Sequence, residues 1–115
     1  MSRKTSNRTA ARMQGRALVF AALGDETRLA LVVKLSDGRP LSISKLTRGS
    51  GVTRQAITKH LRVLEGAGMV RRARRGRESL LEFNPEPILG LQEYLDLVSE
   101  QWDQALMRLK SLVER

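Results

Sequence analysis

A chain of 115 residues suits one domain with one core; 41% hydrophobic content excludes wholesale disorder, and 3% aromatics favour packed helices of Leu, Val, Ile and Ala over a β-sandwich. A net charge of +9 and a pI near 11.2 imply a polyanionic partner, either nucleic acid or an anionic membrane surface. Cysteine is absent, which excludes disulfides and thiol chemistry, and no apolar run approaches the roughly 18 residues of a membrane span, so a soluble cytoplasmic protein is expected.

The charge is uneven along the chain. Residues 1–16 carry Arg3, Lys4, Arg8, Arg12 and Arg16 and no acid, whereas Glu86 to Arg115 holds six acids against three bases, which leaves +7 on residues 17–85. The middle of the chain is therefore expected to meet the polyanion. Residues 1–14 are polar and aperiodic and read as a disordered basic arm, either a solvated tail or an arm lying along phosphates. The main domain, the part expected to bind DNA, then covers residues 15–84, and residues 85–115 are expected to form a dimerisation helix packed on the same domain.

Two short helices follow the arm. Arg16 to Leu23 is apolar at Leu18, Val19, Ala22 and Leu23 and stops at Gly24. Asp25 is a good N-cap for the next, with Glu26 favourably placed in its first turn. Leu29, Val32, Val33 and Ser36 recur there at helical spacing before Asp37-Gly38-Arg39-Pro40 ends it. Ser42 caps a very short third helix with Ile43 and Leu46 inward. The sequence Gly49-Ser50-Gly51 breaks it, and Thr53 caps the fourth.

That fourth helix, Arg54 to about Ala67, is the most informative stretch. At 100° per residue Ile57, Leu61 and Leu64 form one buried stripe. Gln55, Thr58, Lys59 and Arg62 gather on the opposite side, with Thr53 and Arg54 at the helix start, and no acid lies on that arc. Such donors and acceptors read base edges and grip phosphates, so these six are candidate DNA contacts; the plainer alternative is an amphipathic surface helix. His60, the one histidine, sits at the edge of the buried stripe and reads as packed or backbone-bonded, with a phosphate contact second.

Gly66-Ala67-Gly68 ends this helix. Met69–Ala73 and Ser79–Phe83 then read as strands of a hairpin around Arg74-Arg75-Gly76-Arg77-Glu78. Arg71, Arg72, Arg74, Arg75 and Arg77 crowd it, a repulsion that a phosphate backbone would neutralise; Arg72, Arg74, Arg75 and Arg77 are taken as the candidate DNA contacts, against a merely solvated basic loop. From Pro85 or Pro87 to Glu114 one long helix is expected, capped by Asn84. Leu91, Leu95, Val98, Trp102, Ala105, Leu109 and Leu112 alternate at spacings of four and three. A lone helix has nothing to bury such a stripe against, so these seven, helped by Leu18, are the candidate homodimer interface; the broad apolar face suggests packing on its own domain as well, and packing within one core alone is the alternative.

Leu23-Gly24-Asp25-Glu26-Thr27-Arg28-Leu29 and Val52 to Val70 (VTRQAITKHLRVLEGAGMV) resemble the ArsR family of bacterial repressors, over about residues 17–85. The resemblance implies a mainly α fold with a small β-hairpin, a winged helix-turn-helix with a long C-terminal dimerisation helix. It also implies a cytoplasmic, nucleoid-associated homodimer that represses by reading an inverted repeat of double-stranded DNA in the major groove. The segment Gln101 to Lys110 looks like a metal-independent branch. Metal-sensing members place cysteines on the helix before the recognition helix, where this chain has Leu41 to Thr47 (LSISKLT), or His and carboxylates on the last helix, where it has only Glu93, Asp96, Glu100 and Asp103. No metal and no cofactor is expected, and any effector is unidentified. With one histidine and no cysteine, no catalytic constellation forms. A nonspecific architectural DNA-coating protein is the alternative; a membrane binder is disfavoured by the acidic polar face of the last helix.

Overall fold

The computed structural model describes residues 3–114, in the order α1 (Arg3–Leu23), α2 (Glu26–Leu35), β1 (Leu41–Ser42), α3 (Ile43–Thr47), α4 (Arg54–Gly66), β2 (Val70–Arg75), β3 (Glu78–Phe83) and α5 (Glu86–Val113). Three helix starts are set by the expected caps. The side chains of Asp25, Ser42 and Thr53 accept from the backbone N–H groups of Arg28 (3.0 Å), Lys45 (3.2 Å) and Ala56 (3.1 Å). Each satisfies an amide that a helix start leaves without a partner. Thr53→Ala is expected to cost about 1 kcal/mol, read as a lower urea midpoint at unchanged slope.

The end of α4 is a Schellman turn. Met69 N–H reaches the Leu64 carbonyl and Gly68 N–H the Glu65 carbonyl, both at 3.0 Å, with Gly68 at φ +78°. Leu64 and Met69 are both fully buried, so the same turn that stops α4 delivers the chain into β2 with its apolar side inward. Asn84 holds the other end of the hairpin there: its N–H donates to Met69 O at 2.8 Å and its Nδ2 to Gly68 O at 2.9 Å. Asn84 is therefore not the cap of α5. Pro85 takes the cap position without a side-chain bond, and Asn84 Oδ1 only reaches Glu86 N–H, at 3.3 Å.

The sheet has three antiparallel strands in the order β1-β3-β2. β1 is two residues long, Leu41 opposite Leu81 and Ser42 opposite Leu80, too short to leave a period in the sequence. The hairpin runs further than expected. Its strands reach Arg75 and Glu78 around the two-residue loop Gly76-Arg77, with Gly76 at φ +61°, as a mirror-image turn with glycine first requires.

The core is apolar throughout. Val19 and Ala22 of α1, Leu31, Val32 and Leu35 of α2, Leu46 of α3, and Ile57, Leu61 and Leu64 of α4 meet Met69, Val70 and Leu81 beneath the sheet. The stripe expected on α4 is the stripe found. On α2 only Val32 of the expected apolar positions is inside; Leu29 and Val33 face out. That helix is apolar at almost every position from Leu29 to Leu35, so its periodicity marks no single face.

Two corrections concern the ends of the chain. Residues 3–14 belong to α1 and do not form a disordered arm. α1 runs through Gly15 without a break, and the folded turns at 16–23 supply the nucleus from which adding a turn is inexpensive. Leu91 is 5% exposed and lies in the protomer's own core beside half-buried Ile88, so it is not a surface for a second copy. α1 and α5 pack where Phe20 meets Tyr94 edge-on at 6.3 Å and the Arg16 guanidinium stacks on the Tyr94 ring at 4.7 Å. Beyond that crossing both helices project. The radius of gyration is 19.0 Å, against about 13 Å for a compact chain of similar length.

Candidate nucleic-acid interface

Ile57, Leu61 and Leu64 bury one side of α4, which forces the other side outward. Arg54, Gln55, Thr58, Lys59 and Arg62 line a single shallow open groove along it. Its charged groups are three cations, and Gln55 carries both a donor and two acceptor lone pairs. The Thr58 hydroxyl donates to the Arg54 carbonyl at 2.9 Å, which leaves its lone pairs, and not its proton, for a ligand. Thr53 is exposed beside this face; its oxygen accepts the cap bond from Ala56 N–H, which leaves its O–H to donate.

The wing arginines divide by partner. Arg71 pairs with Glu82 across the hairpin at 3.4 Å. Arg72, expected among the phosphate contacts, is exposed and pairs with Glu65 of α4 at 3.0 Å, which braces the hairpin against that helix. Arg74, Arg75 and Arg77 surround the loop, are exposed, and have no carboxylate within ion-pair distance among the described residues. Unpaired cations at a hairpin tip are where a polyanion gains most.

Between α3, the start of α4 and the hairpin lies a second cleft that the sequence reading missed. Lys45, Arg48, Arg54 and Arg77 line it together with one acid, Glu78, and Arg54 reaches Ser44 Oγ at 3.4 Å. It joins the α4 groove, at Arg54, to the wing, at Arg77. Lys45 on α3 and Arg48 at its C-cap are two bases three apart, a spacing without meaning until the wing folds beside them.

Below the groove a polar node ties the motif together. Asp25, Arg28 and His60 bring the start of α2 against α4: His60 Nδ1 is 3.2 Å from Arg28 Nη1 and 3.7 Å from Asp25 Oδ2. His60 is half-buried and side-chain bonded, neither backbone-bonded nor facing the groove. The Arg28 backbone N–H, with His60 and the Arg28 guanidinium beside it, holds the Asp25 carboxyl below its ordinary value of 3.8. A depressed carboxyl stabilises the fold above its unfolded value, and that contribution is lost as pH falls through the folded value. Melting temperature is expected to fall more steeply between about pH 5 and pH 2 in the natural protein than in Asp25→Asn, which keeps a cap but does not titrate.

The α5 seam is largely outside the protomer. Leu95, Leu109 and Leu112 are exposed and Trp102 is 65% exposed; Val98 and Ala105 are half-buried, and Leu18 of α1 is exposed too. No helix among the described residues is long and apolar enough to cross a membrane.

Residues 23–73, which span α2 to the middle of β2, match a family described as a helix-turn-helix domain. The chain is 43% identical over 79 residues, 64% of its own length and 86% of the relative's, to YuzN of Bacillus subtilis (strain 168), an uncharacterized HTH-type transcriptional regulator. An ArsR-like transcriptional regulator from Rhodococcus sp. RHA1 superimposes with a TM-score of 0.77 at 34% identity, covering 87% of this chain and 93% of that one. The fold is also that of a homodimeric winged helix-turn-helix DNA-binding domain from Mycobacterium bovis, a possible ArsR-family regulator, with TM-score 0.65, 21% identity, and coverage of 85% and 90%. With the exposed acid-free face of α4 between a helix-turn-helix core and a basic wing, the chain belongs to the ArsR family of winged helix-turn-helix, DNA-binding transcriptional regulators.

Proposed function

We propose that the chain acts as a homodimeric repressor that occupies an inverted-repeat operator, binding without catalysis and without a transition metal. The observation that carries this reading is the projecting apolar face of α5, with Leu95, Trp102, Leu109 and Leu112 left to solvent in a single protomer. An apolar strip of that length is unstable in water and is covered by a second copy in a two-fold arrangement, with α1 beside it. Two α4 helices then stand one DNA turn, about 34–36 Å, apart, and a palindromic site follows from the protein's symmetry. In this reading Arg54, Gln55, Thr58, Lys59 and Arg62 enter the major groove, while Arg74, Arg75 and Arg77 hold the backbone beside it. Repression follows when the occupied site overlaps a promoter, and the working protein is then associated with the nucleoid.

Metal independence rests on the donor set. There is no cysteine in the chain, and among the described residues no three of His, Asp and Glu are placed to hold an ion. Micromolar zinc, nickel or cobalt is expected to leave DNA affinity unchanged, and one ion per chain that weakens binding would overturn this.

Selection from random-sequence duplexes tests the whole. The expected product is a palindromic duplex bound at least about a thousandfold more tightly than random DNA near 150 mM salt. A ratio near one would make the protein an architectural DNA-coating factor instead.

A further inference from the structure

The Arg28 guanidinium joins three helices. Its Nε donates to the Ala22 carbonyl at 2.6 Å and its Nη2 to the Ala21 carbonyl at 3.2 Å, both in the last turn of α1. Its Nη1 points the other way, to His60 Nδ1 on α4. The carbonyls at a helix end lack helical partners and carry the negative end of the helix dipole, and α1 has no basic residue of its own in that turn. Arginine has no acceptor, so a hydrogen bond at the third contact requires Nδ1 of His60 as the acceptor, with the ring proton on Nε2.

His60 lies about 140° round α4 from Gln55, so it does not touch what Gln55 reads. The apolar stripe of Ile57, Leu61 and Leu64 holds α4 against the core and the Arg72–Glu65 pair braces it from the hairpin side; apolar contact itself is non-directional. A charged hydrogen bond is directional. We propose that Arg28 and His60 are positioning residues for DNA recognition: Arg28, anchored on the end of α1, sets the angle at which α4 presents Gln55, Thr58 and Lys59, and does so only while His60 Nδ1 is unprotonated. This rests on the operator reading above, because α1 also flanks the face where the second copy sits.

Protonation exchanges the partner. A proton on Nδ1 turns the acceptor into a donor and sets a second positive charge against the guanidinium, while Asp25 Oδ2, 3.7 Å away, becomes its acceptor. Asp25 and Arg28, both from the start of α2, are the charged groups within ion-pair or hydrogen-bond distance of the ring among the described residues; α1 presents backbone carbonyls to Arg28. Acid therefore moves α4 from a link with α1 to a link with the α2 cap.

The test uses the full chain with the selected duplex and a random duplex, at about pH 8 and about pH 5.5. His60→Asn places a carbonyl oxygen near the site of Nδ1 and does not titrate; His60→Leu keeps bulk without an acceptor; Arg28→Lys loses the three-way fork. His60→Leu and Arg28→Lys are expected to bind the selected duplex about tenfold more weakly, with random-duplex affinity held within about twofold. His60→Asn is expected to restore tight binding, and to lack the loss of affinity that the natural protein shows in acid. Unchanged binding by His60→Leu, or the same pH profile in the natural protein and His60→Asn, overturns the proposal. The ring tautomer, read by ¹⁵N NMR on the DNA-free natural protein at high pH, decides it independently of folding in the variants: a proton on Nε2 supports the clamp, and one on Nδ1 overturns it. If no duplex is enriched, the operator reading fails, and the tautomer measurement still judges the clamp.

Discussion

Leu109→Asp is expected to leave a folded monomer that binds the selected operator at least about a hundredfold more weakly. Leu109 is exposed in the protomer, as are Leu95 and Trp102 on the same strip, so a carboxylate there meets water and leaves the core intact. In the two-fold dimer the same change places two unpaired charges in an apolar seam, a cost of several kcal/mol for each. Operator affinity then falls because the two half-sites are no longer linked, and linkage alone is worth about 10²–10⁴. Trp102→Ala gives a second reading of the same face. A tryptophan 65% exposed contributes little to a monomer, whereas one buried between two copies costs about 3–5 kcal/mol when removed. Sedimentation at micromolar concentration and a melting temperature that rises with protein concentration check both. A natural chain that sediments as a monomer, with Trp102→Ala silent, would remove the dimer and the palindrome with it.

What the sequence revealed follows from how local each signal is. The caps at Asp25, Ser42 and Thr53 and the stripe Ile57, Leu61, Leu64 are decided within one or two turns, and they are found as read. The candidate groove on α4 was legible for the same reason, since five outward residues of one amphipathic helix share a face whatever surrounds it. Signals that depend on a distant partner were not. Arg72 reads as one of five hairpin arginines until Glu65 is brought beside it. Leu91 continues the α5 seam without a break in period, and only the position of the first turns of α5 over the core takes it out of the interface. Lys45 and Arg48 gain a role from the hairpin folding next to α3. Arg28 and His60 are 32 residues apart, and the length and branching of an arginine side chain, not any period, bring them together.

The division of labour between α4 and the wing gives the other large effect. Gln55 is exposed in the α4 groove, and in the proposed reading its side-chain amide is suited to pair in two-point fashion with an adenine edge in the major groove. Gln55→Ala is expected to cost about 1–3 kcal/mol on the operator, little on random DNA, and to relax preference at one base position in each half-site. Arg75 and Arg77 stand at the ends of the β2–β3 loop with no carboxylate in ion-pair distance among the described residues. A hairpin tip meets phosphates, which carry no sequence, so Arg75→Ala is expected to weaken operator and random DNA about equally. Removing one arginine–phosphate pair per subunit also flattens the dependence of log affinity on log salt by about one unit per subunit. Isotherms for both variants on both duplexes at several salt concentrations separate the two roles. If Arg75→Ala changes which bases are preferred while Gln55→Ala is silent, the wing reads the sequence and α4 only grips the backbone.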